Sequence, residues 1–147
     1  MKSNKSIIVS IWVVRLLILF LFFSAFFIPM LGKLYSQLAG NGTDISVQIS
    51  VSLYCLLLPA LGTLSALHML LINIRKGNMF VPKNIKYLTI ICIGVFLVGI
   101  ICSVVSFVSW VFAFIAVAFL FVGLILLVLR NVFNNAVNIK EENDFTI

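Results

Sequence analysis

A chain of 147 residues that is 63% apolar and 10% charged, with a mean hydropathy of +1.27, is no water-soluble globule; soluble domains run at about 45–50% apolar and about 25% charged. Ten Lys and Arg stand against four Asp and Glu, a net charge of +6. These figures exclude disorder, collagen, a coiled coil and, with three Cys, a secreted disulfide scaffold, while direct nucleic-acid binding needs a soluble surface that is missing here.

A membrane helix takes about 20 apolar residues, and four stretches qualify. The first runs from Ile7 to Leu31, interrupted by Arg15 and expected to end at Pro29 and Gly32. It is too long, and too poor in a small-residue cleavage site, for a removable signal peptide. Arg15 is the one charge inside a span, and such residues are functional candidates by default. With no acid in any span to pair with it, reach toward the lipid phosphates is the simpler expectation. The following segment, Gly32 to Gln48, holds Lys33, Asp44 and a short Asn41-Gly42-Thr43 match to a glycosylation sequon.

The second span covers residues 49–74, with Pro59 and Gly62 inside it. Pro59, Gly62, Thr63 and Ala66 form a small-residue stripe of the kind that lets helices approach closely in lipid. His68 is the sole histidine; haem and zinc sites need more ligands than one, and a hydrogen bond to Ser65 would satisfy it. A helix end follows at Arg75-Lys76-Gly77, with Gly77 suited to a left-handed cap and Pro82 delaying the next helix. Phe80, Lys83 and Lys86 complete this basic loop.

The apolar run from Tyr87 to Leu129 fits two further spans, 87–107 and 110–130, joined by a tight turn near Ser106–Trp110 with Trp110 at the interface. Cys92, Gly99, Cys102, Ser103 and Ser106 fall within about a 100° arc of the third helix and read as packing. Ala113, Ala116 and Gly123 play the same part on the fourth. Cys55 and Cys102 lie at similar depth, but no C-x-x-C motif accompanies them. Phe133, Ala136 and Val137 keep helical spacing into a tail, residues 131–147, that carries Glu141, Glu142 and Asp144 and ends Phe145-Thr146-Ile147.

Eight cations flank the spans on one side, one lies on the other and one lies inside, which by the positive-inside rule puts both termini and the Arg75–Lys86 loop in the cytoplasm. Unpaired backbone groups in hydrocarbon cost several kcal/mol each, so the spans are helices or a closed barrel. The runs do not alternate as barrel strands do. The expectation is an all-α, four-transmembrane-helix bundle in one membrane domain over residues 1–147, with both ends inside. No catalytic, cofactor or metal constellation stands out. Ser65 or Cys92 beside His68 would be the only nucleophile–base pairs, and both lack an orienting carboxylate.

The ending Leu129-Arg130-Asn131-Val132-Phe133, then Ala136-Val137 and Lys140-Glu141-Glu142-Asn143-Asp144-Phe145-Thr146-Ile147, closely resembles the C-terminus of a bacterial membrane family catalogued as domain of unknown function 2975. The one clear departure is Phe145, where the family typically has leucine. The Gly77–Phe80 segment and the four-span layout resemble the family too. That resemblance implies a four-span inner-membrane protein, often encoded beside a very small helix-turn-helix regulator of the Cro/repressor class. From it follows the expectation of a non-enzymatic regulator or scaffold that docks such a partner through Arg75, Lys76, Gly77, Phe80, Lys83, Lys86, Phe133, Glu141, Glu142, Asp144 and Thr146. The lipid bilayer is the other partner, and a homo-oligomer stays open. The alternative is a small transporter or channel subunit with Arg15, His68 and Asn73 along its path.

Overall fold

Long apolar runs without alternation leave the backbone one way to satisfy itself in lipid, and the computed structural model is helical accordingly. It describes residues 2–39 and 44–145, with side chains from 5 to 143 in those ranges. Four helices follow one another, α1 Lys2–Ala39, α2 Ser46–Arg75, α3 Pro82–Val105 and α4 Val111–Phe145. Each is long and apolar enough to cross a membrane. Asn41-Gly42-Thr43 and Thr146 lie outside the described residues.

The boundaries follow from identifiable residues. Gly77 has φ +83°, as its cap position requires. The Asn78 N–H donates to the Asn73 carbonyl at 3.1 Å and the Gly77 N–H to the Ile74 carbonyl at 3.0 Å, which closes α2 in a Schellman motif. Val81, before a proline, is extended (φ −134°, ψ 145°), and Pro82 starts α3 with its ring-fixed φ. The turn between α3 and α4 occupies residues 106–110, where it was expected.

Two boundaries differ most: α3 begins at Pro82 rather than near Tyr87, since the ring-fixed φ of proline suits a first helical turn, and α1 runs past its expected end. α1 does not stop at Pro29 and Gly32 but continues to Ala39. A proline inside a long membrane helix removes one hydrogen bond without ending the helix. Gly32 serves contact instead: a Cβ there would run into Ser50 Oγ and lie 2.6 Å from the Ser46 carbonyl.

The helices are antiparallel in a fixed register. Gly32 meets Ser50, and Tyr54 donates to the Ala25 carbonyl at 3.2 Å. Gly94 meets Thr63 and Pro59, and nearer the loop Asn73 meets Asn84. Gly99 meets Leu120, Gly123 meets Phe96, and Thr89 meets Arg130. The start of α1, the α2–α3 loop and the far part of α4 therefore share one end of the molecule, called here the basic end.

Among the described residues, Cα atoms come within 8 Å only between consecutive helices, α1 with α2, α2 with α3 and α3 with α4. The bundle is thus a series rather than a closed ring. Side chains join α1 to the α3–α4 turn at the opposite end: Tyr35 shares a hydrogen bond with Ser109 and sets its ring edge-on to Phe112 at 6.5 Å. α3, in the middle, supplies three residues to each of two apolar clusters. One gathers Ile49, Val98, Cys102, Val105, Phe112 and Ala116, the other Ala66, Leu70, Leu88, Ile91 and Val95. The small-residue stripes are only partly interior. Ala66, Gly99, Ala116 and Gly123 are buried, whereas Gly62 and Ala113 are exposed, and a Cβ on Gly62 would meet nothing within 4 Å.

Candidate interaction face

At the basic end, an amide pair holds the loop to the helices it joins. Asn73 Nδ2 donates to Asn84 Oδ1 at 2.9 Å, while Asn84 Nδ2 donates to the carbonyls of Asn78 (2.7 Å) and Met79 (2.8 Å). Asn84 is 1% exposed. A buried amide is tolerable only when its donors and acceptor are matched, and these are. Chain reversal there is fixed by side-chain chemistry as well as by the Gly77 cap.

A second brace comes from α4. Phe80, at the loop tip, stacks on Phe133 with centroids 5.9 Å apart and planes at 28°. Phe133 also packs against the cluster around Leu70 and Leu88, and Val137, one turn on, is 2% exposed. The tail is therefore helical and in contact well past Arg130. On this frame Arg75, Lys76, Gly77, Lys83 and Lys86 are exposed, as are Glu141 and Glu142 on the last described turns. Asp144 falls within helix α4, its side chain outside the described ones. The structure thus brings Phe80 to Phe133, two of the expected residues, and leaves the cations of the same loop exposed.

A polar layer lies just below. Arg130 Nε donates to Thr89 Oγ1 at 2.8 Å, and Thr89 in turn donates to the Ile85 carbonyl at 2.9 Å. Arg15 is exposed and its guanidinium lies 5.5 Å from the centre of the Trp12 ring, folded back toward the start of α1. The contact is a cation–π pair. His68 does not match its expectation. Its Nδ1 is buried without a hydrogen-bond partner, and Ser65, one turn back on α2, is exposed and does not reach it.

Cys55 is exposed, Cys92 and Cys102 are buried, and all three are free thiols. Among the described residues no three His, Cys, Asp or Glu side chains gather as metal ligands.

The opposite end carries one electrostatic clasp. Asp44 Oδ1 accepts the Ser46 N–H at 2.9 Å and the Ser36 hydroxyl at 3.2 Å, and the Ile45 N–H donates to Ser36 Oγ at 3.2 Å. Hydrogen bonds from Ser46 and Ser36, opposed slightly by burial and helped by Lys33, hold the Asp44 carboxyl below its ordinary 3.8.

Asn84 and Thr89 are frame residues of this face that the sequence does not announce. Asn84 reads as a polar residue in the first turn of a helix, and Thr89 as a tolerated hydroxyl in a span. Their partners, Asn73 and Arg130, are 11 and 41 residues away, so only the register reveals them.

Among curated proteins and solved structures, nothing matches the chain. A family model does, over residues 14–147, from just before Arg15 through the tail. The chain belongs to the family described as "Protein of unknown function (DUF2975)".

Proposed function

We propose that this chain is a non-enzymatic regulatory or scaffold protein of the bacterial inner membrane, with both termini cytoplasmic, whose basic end docks a small helix-turn-helix DNA-binding protein. The observation that carries this reading is the clamped loop. Phe80 on Phe133 and Asn73 on Asn84 fix the cation-bearing segment to the root of a helix that runs on to Phe145. At 1.5 Å per residue, α4 extends about 22 Å past Arg130. A surface fixed in advance loses little entropy on binding, which favours a docking role over a frayed tail. The cation excess accounts for the sidedness, and the resemblance of the tail supplies the kind of partner.

The test is co-purification of the detergent-solubilised protein with the regulator encoded beside it. Recovery of the regulator, lost on deleting Glu141–Ile147, is the expected result. Equal recovery after that truncation removes the tail from the interface, and no recovery from the intact chain removes the partner. Transporter function has less support: Arg15 is engaged with Trp12 and Asn73 with Asn84, which leaves His68 alone of the three path residues.

A further inference from the structure

Arg130 is partly buried on the seam between α3 and α4, where its Nε is committed to Thr89. One hydrogen bond to a hydroxyl orients a guanidinium but leaves its charge uncompensated. The chain has four acids, Asp44, Glu141, Glu142 and Asp144. Asp44 belongs to the opposite end, and Glu141 follows Arg130 by eleven residues on one helix, about 16 Å along the axis. Among the described side chains no carboxylate is therefore placed to pair with Arg130. That leaves room for a counter-ion from outside.

Position says what that ion is. Arg130 follows Val111, the first residue of α4, by 19 residues, about 29 Å of helix, which matches a hydrocarbon core of about 30 Å. The guanidinium thus sits at the depth where phosphates begin. Thr89 takes the Nε, and the two terminal nitrogens of a guanidinium form a fork that matches two oxygens of a phosphate. Lys86 lies one turn before Thr89 toward the basic end and adds a second, exposed cation.

We propose that Arg130, oriented by Thr89 and assisted by Lys86, is a phosphate-binding site at the α3–α4 seam, with either an anionic phospholipid headgroup or soluble phosphate as its source. The site is independent of the docking reading above.

Native mass spectrometry of the full chain, released from detergent with phosphatidylglycerol added, tests it. Retained lipid is expected to fall about tenfold in Arg130→Gln, as for loss of a charge-assisted pair, and severalfold in Thr89→Val, which keeps every charge. Lys140→Gln, with the same change in net charge on the tail, is expected to match wild type. Arg130→Lys, folded by circular dichroism, is expected to bind weakly because it has no fork. Displacement of the lipid by millimolar inorganic phosphate identifies the soluble source; retention identifies the headgroup. Equal losses in Arg130→Gln and Lys140→Gln, or full retention in Thr89→Val, overturn the site.

Discussion

At Gly32 a hydrogen atom occupies the space where any other residue would place a carbon against Ser50 and the Ser46 backbone. Gly62 faces open space instead. Opposite outcomes follow for the same substitution. Gly32→Ala is expected to destabilise by about 1–3 kcal/mol through overpacking, and Gly62→Ala to be neutral or mildly stabilising through helix propensity. Thermal unfolding in detergent checks both, and equal shifts would contradict the register of α1 on α2. Asp44 gives a pH signature of its own. Its carboxyl is held below 3.8 in the folded chain, so its contribution is present above that pH and is lost as pH falls through the lower folded value. The midpoint of wild type relative to Asp44→Asn is expected to converge on acidification below about pH 3.8. A constant difference at all pH values would show that the Ser36 and Ser46 bonds do not depend on the charge.

Between elements, the loop after α2 is governed by two side-chain pairs rather than by its own composition. Asn84→Ala would leave the Asn73 amide and two carbonyls without partners, at about 1–3 kcal/mol for a buried unsatisfied group. Phe133→Ala removes the stacking partner of Phe80 and part of the cluster beneath. Both are expected to speed tryptic cleavage at Lys76, Lys83 and Lys86, read by the rate of appearance of the two halves. Unchanged cleavage in both variants would mean that the cap at Gly77 alone orders the loop. The sequence made the helices, the Gly77 cap and the Ser106–Trp110 turn legible, because each depends on neighbours within a few residues, whereas Pro82, read as delaying α3, is its first residue. Pairings such as Asn73 with Asn84, or Arg130 with Thr89, depend on register between helices, which hydropathy does not encode. Gly32 reads as a stop in the sequence for the same reason, since its value lies in what α2 brings to it.

On the scale of the molecule, α1 is attached along one neighbour and by one polar contact to the far turn. Tyr35→Phe removes the hydroxyl shared with Ser109 while keeping the ring on Phe112. Amide exchange in α1 is then expected to quicken relative to α3, whose burial is greatest, by the few-fold that loss of one net hydrogen bond implies. Uniform exchange across all four helices would argue that the series unfolds only as a whole. The basic charge with which the chain is endowed is likewise a property of the whole. It collects at the end where the loop, the start of α1 and the tail of α4 meet, a convergence set by an even number of antiparallel helices.

Helix α4 has a mechanical consequence. From Arg130 to Phe145 it contains neither glycine nor proline, so it has no built-in hinge between the polar layer and its tip. A tilt of about 10° in the apolar part would sweep the tip sideways by about 4 Å over its 22 Å lever arm. Any change in bilayer thickness that tilts this helix is thereby converted into displacement of the acidic tip, with Phe133 and Phe80 carrying the loop along.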